Sequence, residues 1–197
     1  MRHHVLIGLL ALAGLARPAA AQEHPPYLPT RDVAVTYRIA RVNQTGFSEA
    51  HLYFSASADK GRLEQEGATS YGIVDPAAKR MTIVMLQRHA YLELPYDIAT
   101  APGFVLSDRM TFTRAGTATI AGLACTVWTV QSDTITGTAC VTADGVLLHG
   151  QGHDRKGNGS DLLATAVDYA AQPATLFDPP ADFQKVVGVA RPAKAAQ

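Results

Sequence analysis

Charge of either sign is scarce in this sequence, and so are cysteine, tryptophan and long apolar runs. Each shortage closes a class of function. Seventeen basic side chains meet 17 acidic ones. Neutralising nucleic-acid phosphates needs a basic excess or stripe, so no nucleic-acid partner is expected. The longest apolar run, residues 5–16, covers about 12 positions, short of the roughly 20 that a bilayer-spanning helix needs. An integral membrane protein is therefore not expected. No Gly-Lys-Ser/Thr phosphate loop and no strand-to-helix dinucleotide glycine pattern occur, which argues against nucleotide cofactors. The 197 residues suit one domain with an appendage.

The apolar run follows Arg2 and leads to Ala19-Ala20-Ala21, a small-residue site of the secretory type, so residues 1–21 read as a signal peptide cleaved before Gln22. Cleavage removes Arg2 and Arg17 and no acid, leaving 15 basic and 17 acidic residues. No cysteine lies near that site to take a lipid. In an exported chain the two cysteines, Cys125 and Cys140, read first as a disulfide. Their spacing is not that of a redox motif and no second ligand cluster accompanies them, so a metal pair is disfavoured.

Residues 22–30 hold Pro25, Pro26 and Pro29, an extended lead-in. Residues 31–187 read as a single β domain and 188–197 as a flexible tail. Val33, Val35, Tyr37 and Ile39 alternate with small or polar neighbours, as do Ala50, Leu52 and Phe54. That is the period of half-buried strands. A short polar strand surrounds Leu63, and further strands follow at 71–74, 80–86 (covered on both faces) and 90–94. Residues 96–109 fit either a loop or a short helix. Strands resume at 111–120 and 123–131. Centring the next turn on Ser132-Asp133 sets Cys125 opposite Cys140, Trp128 over Gly137 and Val130 beside Ile135. The bridge then shares a threonine-rich, wetter face, and closing about 15 residues contributes roughly 3 kcal/mol. Residues 150–159 read as a mobile glycine-rich loop and 162–169 as the last strand. About ten antiparallel strands and scarcely any helical period result, which predicts a mainly β fold built on one curved sheet.

Catalytic patterns are thin. Residues 67–72 only superficially resemble a nucleophile elbow, since the serine is misplaced and no helix follows. The stretch 154–161 departs from the calcium-loop template. His149 and His153, with Asp154, have metal-ligand spacing only on a helix that Gly150 and Gly152 oppose, so two exposed histidines are the simpler reading. Glu64 and Glu66 read as a solvated edge strand rather than an acid/base pair. Asn43 and Asn158 match the glycosylation acceptor pattern. No catalytic residue, metal ligand or cofactor is expected, and the chain reads as a non-enzyme. Tyr37, Phe54, Tyr71, Met81, Met85, Tyr91 and Trp128 lie on strands and form the candidate apolar binding set. An ordinary sheet core explains them as well. A curved sheet with so little helix to cover it leaves a concave apolar surface, or closes on itself around one, and something should occupy that surface.

Five segments carry a family resemblance: 28–37 (LPTRDVAVTY), Val74-Asp75-Pro76 leading to Met81, 121–128 (AGLACTVW), 140–148 (CVTADGVLL) and 176–180 (LFDPP). They resemble a family of uncharacterised exported proteobacterial proteins that is similar to the periplasmic lipoprotein carriers LolA and LolB. The resemblance implies a half-barrel or incomplete barrel whose apolar hollow holds acyl chains, here with fewer helical segments to plug it. It implies a periplasmic monomer whose partner is a lipid or another apolar ligand. The alternative is a structural or interaction module of the envelope, with a self-filled core and an envelope protein as partner.

Overall fold

A computed structural model describes residues 23–42, 44–96 and 105–187. The expected signal peptide, the expected tail, Asn43 and residues 97–104 of the 96–109 segment lie outside the described residues. Twelve strands form one sheet: β1 (Val33–Arg41), β2 (Ser48–Ser55), β3 (Lys60–Gln65), β4 (Ser70–Asp75), β5 (Arg80–Met85), β6 (Ala90–Pro95), β7 (Thr111–Ile120), β8 (Leu123–Gln131), β9 (Ile135–Val141), β10 (Leu147–Asp154), β11 (Gly159–Asp168) and β12 (Gln184–Lys185). Their order is β12-β6-β5-β4-β3-β2-β1-β11-β10-β9-β8-β7. Every pairing is antiparallel except the two-residue contact of β12 with β6, which is parallel. Among the described residues the only helical pieces are single 3₁₀ turns at Leu86–Arg88 and Ala174–Phe177. None is long and apolar enough to cross a membrane.

The sheet is rolled. In sheet order β8 lies four places from β1, roughly 19 Å away if the sheet were flat. Yet Val33 and Val35 of β1 share one core with Cys125 of β8, Cys140 of β9 and Leu148 of β10, and Ala118 and Ile120 of β7 pack on it. Register shifts at Thr36/Tyr37, Leu147/His149 and Arg114/Gly116 bend the layer. Close backbone approach helps: a β-carbon on Gly137 would lie 2.0 Å from Gln151 O. The terminal strands β7 and β12 do not meet, so the barrel stays open.

Several expectations need correction. The segment 150–159 is largely strand, because β10 runs to Asp154 and pairs with β11 as far as His153 opposite Gly159. Gly150, Gly152 and Gly159 lie within the strands, and only Gly157, at φ +80°, serves the short turn between β10 and β11. β3 is an interior strand between β2 and β4, and Glu64 is paired with Arg62 rather than solvated on an edge. The β8–β9 register differs from expectation by two residues: Trp128 faces Ala139, Val130 faces Gly137 and Cys140 faces Val127. Ser132 is not a central turn residue, since its N–H donates to Ile135 O at 2.8 Å and its Oγ accepts from Ile135 N. A shift of two preserves every side chain's face. The disulfide Cys125–Cys140 therefore forms between diagonal neighbours, with Cα atoms 5.4 Å apart. It is not on a wet face, as both cysteines are under 5% exposed. The inward roll of β7–β9 over β1 and β2 buries it.

The two ends of the domain are docked rather than free. Pro25 is fully buried, Tyr27 packs with Phe112 and Trp128, and Leu28 packs on the core around Val33. Thr30 N–H donates to Asp144 O, and Arg31 Nε reaches Asp144 Oδ2 at 2.7 Å while its guanidinium lies 3.6 Å from the Tyr169 ring centroid. Gly145 has φ +90°, and a β-carbon there would lie 2.2 Å from Leu28 O, so this turn requires glycine. The segment after β11 crosses the outer face of β2–β6 as a strap. Leu176, Phe177 and Phe183 pack there on Tyr53, Tyr71, Ile73, Val84 and Tyr91.

Candidate functional site: an open apolar strip

The strand register of β2–β6 generates the site. One cross-strand row reads Leu52, Leu63, Gly72, Ile83, Leu92, and the next reads Phe54, Gly61, Val74, Met81, Leu94. Side chains of directly paired residues share a face, so ten positions without a charge lie side by side. Phe54 and Leu52 also belong to the core enclosed by the rolled sheet, which places both rows on the concave side. Leu63 is 50% exposed and Leu94 42%. Leu52, Val74, Met81, Ile83 and Leu92 are half-buried. Met85 continues the same face between Ser70 and Ala90.

The opposite face of these strands is chemically different and closed. Tyr53, Arg62, Ile73, Thr82 and Glu93 form its corresponding row. Arg62 pairs with Glu64, lies 3.8 Å from the Tyr71 ring centroid and donates to Leu176 O at 3.1 Å. The guanidinium thereby ties strap to sheet. Lys185 Nζ on Glu93 Oε2 at 2.6 Å fixes the far end and holds the Glu93 carboxyl below its ordinary range. Asp32 secures the near end by accepting from Gln172 N and Ala56 N, and these bonds lower its pKa. One face of β2–β6 is thus roofed by the protein itself, while the other presents leucine, methionine and isoleucine to solvent.

The seven expected binding residues are distributed over three environments. Tyr37 (3% exposed) and Phe54 (4%) lie in the enclosed core, where the Tyr37 hydroxyl donates to Leu147 O at 2.7 Å. Burial pushes that phenol well above the usual tyrosine range. Tyr71 and Tyr91 lie under the strap, and Trp128 is buried in a separate cluster with Phe112 and Val130, edge to face with Phe112 at 6.3 Å between ring centroids. Phe54 closes the second row at its core end, and Met81 and Met85 are the two of the seven that stand on the open part of the strip. The leucines that complete it, Leu63, Leu92 and Leu94, were not singled out. The signal was the match of apolar positions from strand to strand, which emerges only once all five strands are in register.

Polar chemistry does not converge on the strip. Among the described residues no three His, Cys, Asp or Glu side chains group as metal ligands. His149 Nε2 meets Asp161 Oδ1 at 3.2 Å elsewhere in the sheet. A groove of ≈ 400 Å³ runs beside Arg41, Gly152 and Asp161, and a ≈ 100 Å³ hollow beside Tyr27 and Phe112. Neither is lined by a residue of the strip, which is a surface rather than an enclosed chamber.

No protein-family model and no curated protein matches the chain. Solved structures do. An uncharacterised conserved protein of Thermus thermophilus superposes with TM-score 0.56 at 15% identity, over 81% of this chain and 91% of that one. MucB, in its complex with MucA from Pseudomonas aeruginosa, gives 0.53 at 18% identity over 79% of this chain. This chain spans only 58% of the MucB chain's length. A LolA superfamily protein of Nitrosomonas europaea gives 0.42 at 9% identity, over 77% of this chain and 91% of that one. The chain has the open, rolled β-sheet fold of the Thermus thermophilus protein and of the matching part of MucB.

Proposed function

We propose that this is a non-enzymatic binding protein of the periplasm that lays an acyl chain, a lipid or another apolar group along the open strip of β2–β6. One observation carries the reading: two charge-free rows, enclosed at Phe54 on β2, come half out to solvent across β3–β6, with Leu63 and Leu94 the most exposed, in a domain that roofs the reverse side of the same strands. Water against such a strip is unfavourable, and covering it with aliphatic chain returns about 0.8 kcal/mol for each methylene buried. The open part of the strip, from β3 to β6, runs about 14 Å across the strands. A single bilayer leaflet of acyl chains is about 15 Å deep, so the two lengths match. A buried disulfide supports an oxidising compartment, as does the leader-like segment at residues 1–21.

A second reading is an interaction module for an envelope protein. It is favoured by the likeness to MucB, which was solved in complex with MucA, and by the self-filled core around Tyr37 and Cys125. Native mass spectrometry of protein exported to a bacterial periplasm, followed by titration with a fluorescent fatty acid, separates the two. Co-purified lipid and saturable uptake are expected. An empty monomer that takes up no fatty acid would refute the lipid reading.

A further inference from the structure

Gly72 interrupts the apolar row between Leu63 and Ile83. Its φ is not positive, so the backbone does not demand glycine there, and a strand glycine without that need marks a close approach from something else. A β-carbon at Gly72 would lie 3.2 Å from Met81 Cε and 3.9 Å from Ile83 Cδ1. Met81 stands in the neighbouring row, opposite Val74, whereas Ile83 is the residue opposite Gly72. The Met81 side chain therefore reaches diagonally across the strip and lies in the notch that the missing side chain leaves. The occupant is informative: a methionine side chain is an unbranched, flexible run of methylene, sulfur and methyl, close in cross-section to an alkyl chain.

We infer that Gly72 and Met81 form a selectivity element for unbranched aliphatic chains: Met81 fills the notch when the strip is empty and yields it to a ligand chain of the same width. This rests on reading the strip as an apolar binding surface. A methyl-branched chain is wider than the thioether it would replace, so it stays perched on Leu63 and Ile83 and gains no contact in the notch. Dispersion contacts fall off over fractions of an ångström, which makes a notch one methylene deep discriminating.

Two substitutions have opposite predicted effects. Gly72→Ala fills the notch; only the flexible end of Met81 has to shift, so the fold is retained. Met81→Ala empties the notch and removes the competitor. The assay is displacement of a fluorescent fatty acid by palmitic acid, which is straight, and by phytanic acid, which is methyl-branched. Wild type favours palmitic acid. Gly72→Ala weakens palmitic acid about fourfold, the worth of one methylene, and leaves phytanic acid unchanged. Met81→Ala tightens palmitic acid by a similar factor. If wild type binds both acids equally, or if the selectivity is the same in all three proteins, the inference is overturned while the binding reading stands. If wild type binds neither acid, both fall.

Discussion

Replacing Phe177 by alanine tests the asymmetry between the two faces of β2–β6. Phe177, on the strap, is 3% exposed and packs down onto Tyr71, Ile73 and Val84 of the sheet. Removing a buried aromatic costs about 3–5 kcal/mol. The strap lies at the surface and can settle toward the sheet, which puts the loss near the lower end, about 3 kcal/mol. For a domain of this size each kcal/mol lowers the melting temperature by about 2–4 °C, so the drop is about 6–12 °C. Leu63→Ala is the matched control on the concave face. Leu63 is 50% exposed, so its truncation costs about 1 kcal/mol or less. Thermal unfolding followed by circular dichroism reads both. A Phe177→Ala protein that melts with wild type, or a Leu63→Ala protein that loses more, would refute the division into a structural face and a binding face.

Other outcomes follow from the same geometry. Leu63→Glu together with Leu94→Glu leaves the melting temperature within a few degrees of wild type but abolishes fatty-acid uptake in the titration. Replacing Cys125 and Cys140 by alanine releases a closed segment of 15 residues and costs roughly 3 kcal/mol, less if the denatured chain keeps some hairpin pairing; chemical denaturation measures it, and the folded wild type shows no labelled thiol. Trp128, the single tryptophan, is buried away from the strip, so its emission is blue-shifted and does not move when fatty acid is added. Asp144 is opposed by burial, yet bonds from Thr142, Arg31 and Tyr169 hold its carboxyl below the ordinary range. Stabilisation from such a depressed group is complete above the unfolded value near 3.9 and is lost as pH falls through the folded value. The stability gap between wild type and Asp144→Asn should therefore be widest at neutral pH and shrink as the pH falls below the unfolded value. A constant gap across an acid titration would contradict the assignment.

Period-two alternation placed β1, β2 and the β7–β8 pair close to where they lie, because local patterning and turn residues determine strand position. The disulfide was legible from compartment logic, and its partners were right even though the register that supported it was two residues off. Ser132 explains that miss: a serine that bonds the backbone beside a turn looks in sequence like a serine inside one. The glycines at 150, 152 and 159 read as loop because glycine is a turn residue by default, whereas sharp rolling of the sheet needs it within strands. The site was the least legible part. Aromatic and sulfur side chains drew attention, but their burial depends on what packs above them. The strap's cover over Tyr71 and Tyr91 is a contact between distant segments. Leu63, flanked by Arg62 and Glu64, looked like part of a polar strand when it is the most exposed apolar group of the strip.

The claim that the concave strip receives the apolar guest is tested most directly by methyl NMR of protein labelled at methionine. Met81 and Met85 stand on the strip, and Met110 packs with Trp128 in a separate cluster. Adding a saturated fatty acid should shift the Met81 and Met85 methyl resonances and leave Met110 in place. Methyl signals of Met81 and Met85 that stay fixed at saturating ligand, or a shift confined to Met110, would contradict the account.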